Sequence, residues 1–340
     1  MRLSVEPRVL RLRSPWRSSH GTLHERELLS VTITDEDGVS GHGEAAPLQA
    51  YDGVSAAHVR AALERYVPVL AAAADMNGAQ IIDACRLLAD VPAALAAIDL
   101  ALWDRAGKRL GKPVAALLTD TPDGTVQVNA AVSATEPRHA AAAAEAAVAA
   151  GFQCVKLKVG SGDDRGRVAA VRAAVGGEPS LRLDANGAWS VEQAVATIEQ
   201  LGAFGLELIE EPTHGLEAVR EVRERVSARI AIDETAGEHG ALGAGVADAV
   251  CLKISRCGGI SGLIAAATLV RASGAEVYLA STLDGPLGIA AAVHAAAALA
   301  SRGPIAPCGL ATLSLFENLD DPMPPSGGTI AVPTAPGLGP

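Results

Sequence analysis

Aromatic residues, cysteines and positive charge are all scarce in this chain. Its 340 residues include only three Trp, three Tyr and three Phe. A core built on large rings is therefore excluded. With 49% hydrophobic residues and abundant alanine, small-residue helices packed on a central sheet are the expected alternative. The five cysteines, Cys85, Cys154, Cys251, Cys257 and Cys308, are odd in number, scattered, and lack a Cys-x-x-Cys pair. That excludes a disulfide framework and a cysteine zinc site, and points to reduced thiols in the cytoplasm. Lys and Arg total 28 against 39 Asp and Glu, a net charge of −11. Nucleic acid and anionic membrane are poor partners for such a surface. The alanine-rich runs, such as 140–150, contain charge and are too short to span a bilayer. Residues 1–10 carry no apolar segment behind a basic start, so no signal peptide is expected. No Gly-x-Gly-x-x-Gly turn follows an early strand, which leaves a doubly wound nucleotide-binding sheet without its main support.

What is present falls into two patterns. Residues 1–55 read as β. Leu29, Val31 and Ile33 alternate with Ser30, Thr32 and Thr34, the period of a half-buried strand. Asp35-Glu36-Asp37-Gly38 is a turn signal, and 39–45 the return strand. Stretches 13–23 and 47–53 read as loops. Apolar residues at helical spacing then mark 55–74, 79–88 and 91–110, and Gly111-Lys112-Pro113 stops the last. From 126 onward short β-rich runs alternate with helices. The expected strands are 126–131, 154–159, 181–184, 206–210, 230–232, 249–253, 276–280 and 305–308. A repeat of roughly 20 to 30 residues built from one strand and one helix means a parallel α/β architecture, and eight strands fit a closed (β/α)₈ TIM barrel.

Catalytic groups of a barrel sit at the carboxyl ends of its strands. Within 154–159, Lys156 and Lys158 share one face, opposite Val155, Leu157 and Val159. Adjacent ammonium groups repel, which favours loss of a proton; an edge strand with solvated lysines is the plainer reading. The later strands end in Asp184, in Glu210-Glu211, in Asp233-Glu234 and in Lys253. One such acid would be an ordinary helix cap. Three at consecutive strand ends repel strongly unless a cation sits among them. Hard oxygen donors suit Mg²⁺, or Mn²⁺ in its place, better than zinc. The second and sixth strands face each other across an eight-stranded barrel, so Lys158 and Lys253 flank a substrate from two sides. That arrangement matches removal of a proton next to a carboxylate, with the enediolate stabilised electrostatically as it forms.

Lys156-Leu157-Lys158, Asp184-Ala185-Asn186, Glu210-Glu211-Pro212, Asp233-Glu234 and Lys253 with Gly258-Gly259 together resemble the enolase superfamily. Within it they resemble the muconate cycloisomerase subgroup. The resemblance covers nearly the whole chain, including Gly43-Glu44-Ala45-Ala46-Pro47 and the segment 283–288. It implies a modified (β/α)₇β barrel over 121–315, an N-terminal α+β capping domain over 1–120, and a tail 316–340 packed back on that cap. It implies Mg²⁺ held by Asp184, Glu210 and Asp233. Lys158 and Lys253 would be the acid/base pair, and Lys156 would lower the pKa of Lys158. Asn186 would stand behind the metal ligands, and Glu211 and Glu234 would be the weaker members of their pairs. The 13–23 and 47–53 loops, carrying Trp16, Arg17, His20 and Tyr51, would close over the mouth; Trp16, His20, Tyr51, Asn186 and Asp284, the last matching an acidic position of the subgroup, would bind the substrate. Mandelate racemase relatives would place a His on the seventh strand, where this chain has Ser281-Thr282. His294 reads as packing; His214 and His239 lie near strand-end loops.

The implied activity is isomerisation, of the cycloisomerase or racemase/epimerase kind. A dehydration of the o-succinylbenzoate synthase type is the alternative, and a non-catalytic binding barrel the alternative of another class. Dipeptide epimerases carry Asp-x-Asp after the eighth strand for the substrate's ammonium. Here Cys308-Gly309-Leu310-Ala311-Thr312 has no acid, which argues against such a substrate. The 308–315 segment resembles o-succinylbenzoate synthases, whereas 281–294 and 332–339 resemble muconate cycloisomerases. The expected partner is a small carboxylate, and the expected assembly a homo-oligomer.

Overall fold

The structure is a computed structural model that describes residues 1–18, 21–317 and 319–339. An antiparallel sheet of β1 (Arg2–Ser18), β2 (Gly21–Thr34) and β3 (Ser40–Ala45) opens the chain. Leu29, Val31 and Ile33 are buried as the alternation requires. The 13–23 stretch is not a loop. Both strands of the hairpin run through it, and Trp16 pairs with Leu23 after a register shift between Arg11 and Trp16. A cross-strand pair of that kind outweighs the Ser and Pro that suggested a loop.

After α1 (Gln49–Asp52), helices α2 (Ala56–Ala71), α3 (Gly78–Leu88) and α4 (Pro92–Leu110) pack together, with α2 and α4 against this sheet. Ser55 caps α2, and Asn77 with Gln80 forms a capping box on α3. Helix α4 presses so closely on β3 that a Cβ at Gly41 or Gly43 would lie 2.0 Å from a carbonyl oxygen of Ala101 or Ala97. Only glycine allows that approach. A short α5 (Ala115–Leu118) leads to the second half.

The expected strand 126–131 divides into β4 (Thr125–Gln127) and β5 (Ala130–Val132). Then follow α6 (Pro137–Ala149), β6 (Cys154–Lys158), α7 (Asp164–Val175), β7 (Ser180–Asp184), α8 (Val191–Leu201), β8 (Leu208–Glu210), α9 (Leu216–Arg225), β9 (Ile230–Ile232), β10 (Ala249–Leu252), α10 (Ile254–Cys257), α11 (Ile260–Ala272), β11 (Glu276–Leu279), α12 (Pro286–Ala300) and β12 (Thr329–Ala331). Strands β5 to β11 form one parallel sheet in chain order, while β4 pairs antiparallel with β12. No regular eighth strand forms at 305–308. Instead, Cys308 bridges to Val128 and Gly309 to Ala280, so two residues join the two edges of the curled sheet. Pro304 and Pro307 lack the N–H groups that a longer ladder needs.

The chain's end touches both halves. In the first half Phe316 bridges to Leu12 and the Leu338 N–H donates to Asp104; in the second, β12 pairs with β4 and the Leu338 carbonyl meets His294 Nε2. Among the described residues no helix is long and apolar enough to cross a membrane.

Candidate active site

Parallel register aligns Lys158 with Asp184 and Asp184 with Glu210 across β6, β7 and β8. Asp233 follows β9 and Lys253 follows β10. Lys156, Lys158, Asp184, Asp233 and Lys253 all line one cavity of about 140 Å³. Lys156 Nζ lies 2.9 Å from Asp184 and 2.7 Å from Glu210. Lys158 Nζ donates to Asp184 at 2.6 Å and to Asn186 Oδ1 at 2.7 Å. At the other end of the acid row, Lys253 Nζ donates to Asp233 at 2.6 Å and to the Tyr51 hydroxyl at 2.9 Å. It also stands 4.0 Å from the centre of the Tyr51 ring, within cation–π range. Tyr51 donates in turn to Asp233 at 2.7 Å, so an N-terminal residue completes the site.

Protonation follows from these contacts. Burial pushes the Asp184 carboxyl up, but Lys156 and Lys158 more than offset it and hold Asp184 well below the usual range. Asp233 is likewise lowered, with Lys253 and Lys156 outweighing burial. Glu210 is raised to about 7, by burial and then by the charge of Asp184. Lys156 does not behave as a depressed amine. Burial lowers its pKa, but Asp184 and Glu210 outweigh burial and raise it; Lys253 is raised in the same way by Asp233. The repulsion that two lysines on one strand face suggest is absorbed by acids from the neighbouring strands.

Glu211 sits at φ 41° with its carboxylate turned from the cavity. It braces the next loop, accepting from the Asp233 and Thr235 N–H groups at 2.8 and 3.0 Å, and lies 3.1 Å from His214 Nδ1. Asn186, at φ 44°, donates to Glu234 at 3.0 Å while accepting from Lys158.

Trp16, Tyr51 and Asn186 line the cavity. His20 and the side chain of Arg17 lie outside the described residues. Asp284 does not belong to the cavity wall. The left-handed turn at Leu283, φ 59°, folds it inward. There it accepts from Thr282 Oγ1 at 2.6 Å and faces Glu44 and Arg26. His294 is a packing residue, accepting from the Ala115 N–H and donating to the Leu338 carbonyl; burial pushes it down to about 4. Neither His214 nor His239 lines the cavity.

Sequence reasoning missed two polar residues here. Tyr278 donates to Glu210 at 2.6 Å from inside the barrel. Its alternation with Val277 and Leu279 was the available signal. Asn129 also lines the cavity, but it precedes β5 inside the stretch read as one strand.

Can the acids hold a cation? An oxygen of Glu210, one of Asp233 and Cys251 Sγ lie within 4.8 Å of one another. Asp184 joins Glu210 through the Lys156 ammonium between them. Burial raises the Cys251 thiol well above its ordinary value, so it stays protonated and is a poor ligand for a hard ion. Three carboxylates from consecutive strands, already drawn around positive charge, fit Mg²⁺ by donor chemistry.

A curled parallel sheet whose strand ends carry this row of acids between lysines defines the enolase class of barrels, and the chain belongs to the enolase superfamily. Residues 139–340 match the family Enolase C-terminal domain-like. Residues 2–119 match the N-terminal domain of mandelate racemase and muconate lactonizing enzyme, which places the chain in that group. It is 30% identical to L-Ala-D/L-Glu epimerase of Bacillus subtilis (strain 168), over all of this chain and 96% of the relative. It is 32% identical to muconate cycloisomerase 1 of Rhodococcus opacus, over 99% and 95%. With o-succinylbenzoate synthase of Thermobifida fusca (strain YX) it shares 39% identity over 61% of this chain and 67% of that one. Among solved structures, the substrate-liganded B. subtilis epimerase superposes with a TM-score of 0.92 at 30% identity, covering 100% and 98% of the two chains. A dipeptide epimerase from Enterococcus faecalis V583, complexed with Mg and L-Leu-L-Tyr, gives 0.88 at 28% identity, covering 99% and 98%. These relatives comprise epimerases, a cycloisomerase and a lyase-type synthase.

Proposed function

We propose that the protein is a Mg²⁺-dependent isomerase that removes and returns the proton α to a substrate carboxylate. The observation that carries this reading is one cavity holding Lys158 and Lys253 at opposite ends of a row of acids. Asp184, Glu210 and Asp233 are the residues that would hold Mg²⁺, which when bound would offset negative charge developing on the substrate carboxylate. Lys158 would take the proton from one face, and Lys253 would deliver one to the other. The Lys158 ammonium is anchored to Asp184 and Asn186. Lys156 stands beside it on the same strand face and shares Asp184 with it. Asn186 holds that amine in place, and Trp16 with Tyr51 screens the cavity from water. On this reading residues 1–120 act as a cap on a barrel of residues 121–315, with 316–340 packed against the cap; the reach of Tyr51 to Asp233 supports it.

A dehydration is the second reading, favoured by the 39% identity to the T. fusca synthase. There one lysine does the proton work and the other serves as a cation.

The test is α-proton exchange in D₂O, followed by NMR across N-acylamino acids, dipeptides, muconates and the o-succinylbenzoate precursor. Exchange with at least one class, lost on chelation and restored by Mg²⁺, is expected. No exchange with any class at any Mg²⁺ concentration would refute the proposal.

A further inference from the structure

The two lysines at the mouth are rooted differently. Lys253 stands at the start of α10, and its carbonyl accepts from the main-chain N–H groups of Arg256 and Cys257 at 3.1 and 2.9 Å. Those bonds belong to the helix backbone and do not depend on any side chain. Lys158 is the last residue of β6, and a side chain holds its carbonyl: Arg167 Nη1 donates to it at 3.0 Å.

Arg167 lies in the first turn of α7 and is 1% exposed. Long side chains on a helix run back towards its start, and this one reaches the loop between β6 and α7. Besides Lys158, its guanidinium donates to the Ser161 carbonyl and to the Asp164 carboxylate. Asp164 Oδ2 accepts in turn from the Gly160 N–H at 2.9 Å. One buried fork thus ties the strand end, the loop and the helix start together. The loop has no slack, because a Cβ on Gly160, φ 93°, would come to 2.5 Å from the Ala188 Cβ. Arg167 Nε is itself buried with no partner among the described residues. An unpaired buried donor costs stability, so stability alone does not account for an arginine here.

The peptide joining Lys158 to Val159 is held from both sides. The Val159 N–H donates to the Asp184 carbonyl at 2.9 Å, and the Lys158 carbonyl takes the Arg167 bond. This peptide is the foot of a flexible four-carbon stem. At the far end of that stem Nζ donates to Asp184 and Asn186. A shift at the foot moves the amine relative to the atom it must reach, and a displacement of about 1 Å is enough to slow a reaction severely.

We propose that Arg167 is a positioning residue for Lys158, and that it acts on that face of the reaction alone. The proposal rests on the α-proton chemistry set out above.

The chain has only five lysines, Lys108, Lys112, Lys156, Lys158 and Lys253. Protein labelled with ¹³C at lysine Cε therefore gives five NMR signals, and Lys158→Ala and Lys253→Ala assign two of them. In the Mg²⁺-loaded protein, Arg167→Met should move the Lys158 signal and leave the Lys253 signal in place. Arg167→Lys keeps a charge beside Asp164 but loses the fork. It should act in the same direction to a smaller extent, and it decides the matter if the Met variant does not fold. Exchange of the α-proton in D₂O is then followed for both enantiomers of N-acetylleucine and for L-Ala-L-Glu with its L-Ala-D-Glu epimer. On the stereoisomer that Lys158→Ala fails to label, Arg167→Met should lose roughly 10- to 100-fold, in kcat rather than KM. On the one that Lys253→Ala fails to label, it should keep the wild-type rate. Equal losses on both stereoisomers, or an unmoved Lys158 signal, would make Arg167 a structural residue of the turn and overturn the proposal, while the reaction stands. If wild type labels neither probe, the NMR signals alone decide between the two roles. Labelling of nothing in the wider panel overturns the reaction instead.

Discussion

Arg182 and Asp184 are two residues apart on β7 and point into the same barrel, but they anchor very different layers. On the floor, Arg182 is fully buried and donates twice to Glu207, at 2.9 and 2.6 Å, and once to the Pro307 carbonyl at 2.7 Å. Its guanidinium also lies 5.2 Å from the Tyr278 ring centre. At the mouth, Asp184 is shared between Lys156 and Lys158. The planar fork of arginine fixes one geometry, whereas an ammonium is a point charge that can change partners and give up a proton. The floor thus holds an ion pair that keeps its shape, and the mouth holds ion pairs suited to exchange.

The sharpest contrast lies in turnover. Lys158→Ala or Lys253→Ala should reduce it roughly 10²- to 10⁴-fold, the usual range for a general acid or base. Steady-state kinetics on the true substrate checks this; near wild-type turnover in Lys253→Ala would remove the two-sided site. The floor should respond in the other currency. Arg182→Met leaves Glu207 without its partner, and Glu207 is 21% exposed. A loss of about 2–3 kcal/mol in denaturant unfolding is expected, at the lower end for a broken buried pair, with turnover per folded molecule little changed. Intact stability with collapsed turnover would erase the distinction between the layers.

Where the turn after β11 meets β3, two buried acids crowd together. Glu44 and Asp284 face one buried arginine, Arg26, and Glu44 is raised to about 7, by burial first and by Asp284 second. A carboxyl raised above its ordinary 4.5 favours the neutral folded form. Its contribution is therefore complete below about pH 4.5 and is lost as pH rises to about 7. Glu44→Gln should flatten that part of the stability profile, by about 2 kcal/mol in urea unfolding compared at pH 5 and pH 8. An unchanged profile would show that Arg8 and Arg26 together neutralise the cluster. The smallest effect is expected at the joint between layers. Tyr278→Phe removes one buried bond to Glu210 and should cost about 1 kcal/mol by thermal unfolding.

Much of this was legible in the sequence because it rests on short periods. The alternation of Lys156 with Lys158, and acids ending successive strands, follow from two-residue periodicity and a repeated unit. The 13–23 hairpin was not legible, because the Trp16–Leu23 pair is a contact between strands. The absent eighth strand shows in Pro304 and Pro307, which the apolar pattern of 305–308 outweighs. Asp284 was misplaced because its direction depends on the backbone turn at Leu283. The raised pKa of Lys156 was out of reach for a related reason. Two lysines on one strand announce their mutual repulsion, but not the carboxylates that neighbouring strands bring against them.

The central claim is that the two lysines at the mouth serve opposite faces of one α-carbon. The direct measurement is deuterium incorporation from D₂O into each enantiomer of a racemisable substrate by wild type, Lys158→Ala and Lys253→Ala, all with Mg²⁺. Wild type should label both enantiomers. Each variant should fail to interconvert them yet still label one, and the labelled enantiomer should differ between the two variants. If both variants label the same enantiomer, or if Lys253→Ala labels both at the wild-type rate, the two-faced site is contradicted.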